Sequence, residues 1–236
     1  MNWLKWLKYM IVFLLPVVMV LALRTQVDND SWFVLAEGRE IVENGVYTTD
    51  ALSMHEDLKI VVQNYGFAAV FWLIYTVFGL PGLFIGMVLM YFLVEFLLYK
   101  IFMLLSEKNE GLALFLTVVA SALLGVLYVT TRAQMVSYVI FLTVIYILEL
   151  YVKKGEKKWL VAIPFLSLVQ INLHASVWLM LFMVMGAFIL DSRIEGYKAK
   201  PLVVTMVIGL AVGLINPYGL NMITFVMKSY SGGAIQ

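Results

Sequence analysis

The run WLVAIPFLSLVQINLHASVWLMLFMVMGAFIL, residues 159–190, decides how this chain folds, because its 32 residues carry no ionisable side chain other than His174. About 20 apolar residues make one helical crossing of a bilayer, so the run is too long for one helix. Its polar centre, Gln170-Ile171-Asn172-Leu173-His174, marks where it divides. Lysine-rich connectors flank both ends: Lys153-Lys154-Gly155-Glu156-Lys157-Lys158 before it, and Arg193, Lys198 and Lys200 after it. Basic connectors stay on the cytoplasmic side, so the run has to cross and return. Two helices of about 14 residues rise only about 21 Å each, short of the roughly 30 Å hydrocarbon core. The Asn172 and His174 turn is therefore expected below the far surface, in a recess lined by water or protein.

Composition agrees with that reading. The chain is 63% hydrophobic and 13% charged with a mean hydropathy of +0.96, whereas soluble domains are typically about 25% charged. The fold class is all-α, a polytopic transmembrane helical bundle. The net charge of +1, with no basic patch interleaved with aromatics, sets nucleic acid aside as a partner. With zero cysteines there is no disulfide framework, thiolate metal site or cysteine nucleophile. Internal repeats, Gly-rich phosphate loops, HExxH and EF-hand patterns are absent from the sequence.

Further uncharged runs cover residues 60–94, 111–131, 133–148 and 201–227. Residues 1–24 form the first span: Lys5 and Lys8 precede its apolar run, and no small-x-small cleavage site precedes Arg24. Placing the N-terminus, Lys100 and Lys108, and the two later basic connectors in the cytoplasm puts eleven of sixteen Lys and Arg inside. Arg24, Arg39, Lys59, Arg132 and Lys228 then share the outer side with the loop 25–65, which holds eight acidic residues.

This topology requires an odd number of crossings between that loop and Lys100. The Gly79-Leu80-Pro81-Gly82 break is therefore expected to end a short interfacial or half-buried helix over 66–78, ahead of a longer helix reaching about Leu105. After Pro201 about 15 apolar residues lead to the turn signal Asn216-Pro217-Tyr218-Gly219. The apolar stretch 222–227 is too short for another span. Residues 1–236 thus read as one module: a first span (1–24), an outer acidic loop (25–65), and an interfacial helix with the remaining spans (66–236). Glu95, Lys100 and Glu149 fall near the cytoplasmic ends of helices, where snorkelling and short-range pairing accommodate them.

The motifs on the outer side occur in a familiar order. Asp28-Asn29-Asp30-Ser31-Trp32-Phe33, Gly38-Arg39-Glu40-Ile41, Glu43-Asn44-Gly45 and Ser53-Met54-His55-Glu56-Asp57 come first. Gln63-Asn64-Tyr65, Thr131-Arg132-Ala133-Gln134, Asn172-Leu173-His174 and Asn216-Pro217-Tyr218-Gly219 follow. Together they resemble the bacterial integral-membrane glycosyltransferases of the GT-C superfamily, over almost the whole chain. The resemblance implies transfer of a sugar from a polyprenyl-phosphate donor to an acceptor glycan, lipid or protein on the outer face of the cytoplasmic membrane, through an acidic residue of the first outer loop. It also implies a longer protein, often with a soluble C-terminal domain, of which residues 1–236 correspond to the N-terminal part.

That chemistry needs a base for the acceptor hydroxyl and positive charge for the departing phosphate. Asp30, then Asp28, are the candidates for the base. The same Asp28-Asn29-Asp30 reads equally as the N-cap of a helix starting near Ser31. Asp28 and Asp30, completed by Glu56 and Asp57, suggest a divalent cation, Mg or Mn, on oxygen ligands. Arg132, isolated between apolar runs, either binds phosphate or snorkels to lipid headgroups. His174 and Asn172 orient an acceptor or stabilise their own turn. His55 and Glu56 are substrate contacts or a salt-bridged loop, and Gln63 and Tyr65 line a sugar site or anchor the following helix. The rival class is a non-catalytic protein that binds or transports a lipid carrier through the same recess.

Overall fold

A computed structural model describes residues 3–23, 29–54, 57–127 and 130–230. Its helices are α1 (Trp3–Leu23), α2 (Asn29–Asn44), α3 (Tyr65–Leu105), α4 (Glu110–Leu127), α5 (Gln134–Lys154), α6 (Ala162–Leu173), α7 (Trp178–Glu195), α8 (Ala199–Val212) and α9 (Leu220–Tyr230). Short 3₁₀ turns, Lys157–Val161 and Ala175–Val177, lead into α6 and α7. The regular structure of the described residues is otherwise an isolated antiparallel bridge between Thr49 and Lys59. Tyr65–Leu105, Gln134–Lys154 and Ala175–Glu195 are each long and apolar enough to cross a membrane. The protein is therefore an all-α membrane protein, and side chains such as Val77, Leu89, Phe165 and Met183, open on its surface, suit lipid better than water.

The anticipated break in α3 falls at Gly79, whose φ of 62° and ψ of −159° lie outside helical space. A glycine adopts this backbone without steric cost, and Pro81 withholds a backbone donor just beyond it. The arms, 65–78 and 80–105, bend toward each other: Phe67, Val70 and Ile74 of the first face Leu83, Met87 and Met90 of the second across an apolar groove.

The 159–190 run also divides where its polar centre lies, at His174 (φ −158°, ψ 79°). Its two helices are unequal, contrary to the expectation of two similar short ones. α6 has 12 residues, about 18 Å, whereas α7 has 18, about 27 Å. Charge ends the apolar run but not the helix: Asp191 to Glu195 keep the helical hydrogen bonding until Gly196 caps it with its N–H on the Ser192 carbonyl. α8 has 14 residues and stops before Asn216, whose side chain closes the following turn by donating to the Gly213 carbonyl (2.8 Å) and accepting from the Tyr218 N–H (2.9 Å).

Two tight seams hold the bundle. Trp178 of α7 donates to the Ser167 hydroxyl of α6 (2.8 Å), which donates to the Gly209 carbonyl of α8 (2.8 Å), so three helices share one buried chain of hydrogen bonds. Gly38 of α2 lies so close to α3 that a Cβ there would stand 2.0 Å from the Ala68 carbonyl oxygen. Glu95 corrects the sequence reading: it is fully buried on the Tyr91 face of α3, toward Ser121 of α4, so its carboxyl cannot snorkel to a headgroup. Lys100 does extend outward, over the Phe96 ring.

Candidate functional site

The site is built around the start of α2. Asn29 opens that helix and Asp30 lies in its first turn, where a carboxylate suits the helix dipole. Ser31 is wholly buried, and its hydroxyl meets both the carbonyl (2.9 Å) and the hydroxyl (2.6 Å) of Thr131, in the bend before α5. This fixes two neighbours against each other: Asp30 Oδ2 accepts from Arg132 Nη2 at 2.9 Å. The Asp30 side chain is 65% exposed, and an exposed ion pair contributes at most about 1 kcal/mol. The Ser31–Thr131 seam therefore positions the ion pair, which could not hold the seam by itself.

Beside the pair opens a cavity of about 970 Å³. One face of α2 lines it with Asp30, Val34 and Glu37, at helical spacings of four and three. The segment before α3 contributes Gln63 and Asn64, the break after α6 His174, and the turn after α8 Tyr218. α9 adds a stripe of Asn221, Thr224 and Lys228. Glu37 is buried, and burial pushes its carboxyl up to about 7; Asp50 adds to the shift while a hydrogen bond from Asn64 opposes it. Burial also holds Tyr47 and Tyr218 protonated, with Glu37 adding to both effects.

Asp30, Arg132, Gln63 and His174 thus come together on one cavity from four distant parts of the chain. His174 is also engaged in the scaffold: its Nδ1 lies 2.7 Å from the Ser137 hydroxyl of α5, and Gln170 donates to that hydroxyl (2.9 Å) and to the His174 carbonyl (2.7 Å). Tyr65 and Asn172 stand outside the wall. The Tyr65 hydroxyl donates to Asn172 Oδ1, and the Asn172 amide donates to the Leu168 and Ile215 carbonyls (2.8 and 2.9 Å). That arrangement makes them a junction of α3, α6 and the turn after α8.

Asp28, His55 and Glu56 lie outside the described residues. Among the described residues no three His, Asp or Glu side chains converge as a metal site. The sequence reading missed Glu37, although it lies seven residues, two turns, beyond Asp30 on a segment already read as helical. It also missed Lys228, for which no local signal exists, because α9 reaches the cavity solely through the tertiary fold.

Arg132 belongs to a second feature as well. The groove between the arms of α3, about 250 Å³, is lined by apolar side chains together with Thr130, Thr131 and Arg132. One residue, Arg132, therefore lines both a polar cavity and an apolar groove. Comparison with protein-family models, curated proteins and solved structures finds no match.

Proposed function

We propose that this protein is a membrane glycosyltransferase of GT-C type, which takes a sugar from a polyprenyl-phosphate donor and passes it to an acceptor on the outer face of the cytoplasmic membrane. The observation that carries the reading is Arg132, common to the polar cavity and the apolar groove. A lipid-linked sugar phosphate has that polarity: an isoprenoid chain for the groove, an anion for the guanidinium, and a hydroxyl-rich sugar for the cavity. Guanidinium matches phosphate oxygens in planar, forked geometry. In transfer, the acceptor oxygen bonds to the anomeric carbon while the bond from that carbon to the phosphate oxygen breaks. The electron pair leaves on the phosphate, whose growing charge Arg132 stabilises. Asp30, the first-loop carboxylate of this reading, pairs with Arg132 and lines the same cavity.

The N-terminus and the basic connectors are placed in the cytoplasm, and the cavity on the outer side, because the Lys and Arg residues segregate that way along the chain. The test is transfer by membranes holding the wild-type chain, Asp30→Asn or Arg132→Gln, from a panel of labelled polyprenyl-phosphate sugars. Transfer lost in both variants, with lipid phosphate binding lost in Arg132→Gln alone, supports the reading. Binding without transfer in the wild type refutes the enzyme and favours a carrier-lipid binding or transport protein.

A further inference from the structure

We propose that Glu37 is a further catalytic residue of this site, the group that takes the proton from the acceptor hydroxyl. The assignment rests on the glycosyl-transfer reading above and changes which carboxylate does the acid–base work. Asp30 is engaged by Arg132 at 2.9 Å and is largely exposed. Its Oδ2 is already occupied by the guanidinium that the phosphate needs. Glu37 has the opposite surroundings: it is buried in the wall of the same cavity, and the neutral side chain of Asn64 is its hydrogen-bond partner.

Its position fits the task. Seven residues of α2 separate it from Asp30, a rise of about 10 Å, which accommodates in line the Glu37 carboxylate, the acceptor oxygen, the anomeric carbon and the phosphate at Arg132. The groups facing it are Asp50 and Tyr47 from the loop before α3, Asn64, and Tyr218 from the turn after α8, with Asp30 and Glu40 on its own helix. Lys59, Lys228 and Arg132 line the same cavity. Burial, with the Asp50 charge adding to it and the Asn64 hydrogen bond opposing it, lets Glu37 hold a proton up to near neutral pH, the range in which a general base is most effective.

The step balances. The acceptor oxygen bonds to the anomeric carbon, the carbon–oxygen bond to the lipid phosphate breaks with its electron pair on the phosphate, and the hydroxyl proton passes to Glu37. Water in the cavity then receives that proton.

The experiment uses the full chain in lipid nanodiscs, wild type, Glu37→Gln and Glu37→Asp, with polyprenyl phosphate as binding probe and the labelled donor panel for transfer. Glu37→Gln should lower transfer by about 100-fold or more and leave polyprenyl-phosphate binding within about twofold. Wild-type kcat/KM should fall on the acid side of about pH 7, and an infrared carboxyl band titrating there should vanish in Glu37→Gln. Glu37→Asp should keep part of the transfer with its acid limb displaced. Wild-type transfer at an undiminished rate in Glu37→Gln, or no such band in the wild type, overturns the assignment while leaving the glycosyltransferase reading in place. A wild type that binds no polyprenyl phosphate overturns that reading and this one together. If Glu37→Gln fails to fold, Glu37→Asp and the wild-type infrared titration decide.

Discussion

Replacing Glu37 by Gln should remove a pH dependence from the stability of the fold. Folding raises this carboxyl from an ordinary 4.5 to about 7, chiefly by burial. The folded protein therefore holds the proton more tightly than the unfolded chain, and stability falls as pH rises from about 4.5 through 7. Above that window the folded state carries a buried charge that the unfolded chain solvates freely. At about 1.4 kcal/mol per pH unit the whole window corresponds to about 3 kcal/mol. Gln keeps the shape and a polar contact for Asn64 but cannot ionise. The wild type and Glu37→Gln should thus be similarly stable at pH 5, while at pH 8 the variant should be more stable by up to about 3 kcal/mol. Unfolding midpoints of the detergent-purified proteins, taken by tryptophan fluorescence across mixed-micelle titrations at both pH values, measure this. Parallel pH profiles for the two proteins, or a wild type that gains stability toward pH 8, would refute the reasoning. Asp50→Asn supplies an internal control: Asp50 raises the Glu37 pKa, so its removal should narrow the window.

Ser31→Ala leaves the Thr131 carbonyl and hydroxyl without their buried partner and should cost about 1–3 kcal/mol, read as a lower midpoint together with weaker lipid phosphate binding through a displaced Arg132. Gly38→Ala puts a Cβ 2.0 Å from the Ala68 carbonyl oxygen, which is backbone and cannot swing away; a loss of at least about 1–3 kcal/mol is expected, and unchanged stability would show that α2 stands farther from α3. Transfer should survive chelation of divalent cations, because Arg132 already supplies the positive charge against Asp30; loss on chelation with recovery on adding Mg or Mn would return the phosphate to a metal. The chain has no cysteine, so Asp50→Cys and Gly155→Cys report topology one at a time: an impermeant thiol reagent applied outside intact cells should label the first and spare the second.

The fold was largely legible because lipid imposes a rule that a single chain displays openly. Long uncharged runs must be helices, and Gly79 with Pro81 and the polar centre at Asn172 and His174 interrupt those runs where α3 kinks and α6 gives way to α7. Helix ends were less legible, as α7 shows: hydropathy stops at Leu190, yet backbone hydrogen bonding continues to Glu195. The site was legible in part. Asp30 and Arg132 were each marked by charge in an apolar setting, but their pairing across a hundred residues depends on the Ser31–Thr131 seam, two small hydroxyls with no distinguishing pattern.

The sequence alone determined that this is a helical membrane protein with eight of its fifteen carboxylates gathered in the segment 25–65, because hydropathy and charge act residue by residue. The tertiary structure alone decided which of those carboxylates is buried and which is paired. Burial and pairing belong to the neighbours a side chain acquires, and the neighbours of Glu37 and Asp30 come from the segments that precede α3 and α5 and from the turn after α8. One arginine bordering both a polar cavity and an apolar groove is likewise a property of packed helices, since its own motif, Thr131-Arg132-Ala133-Gln134, contains neither surface.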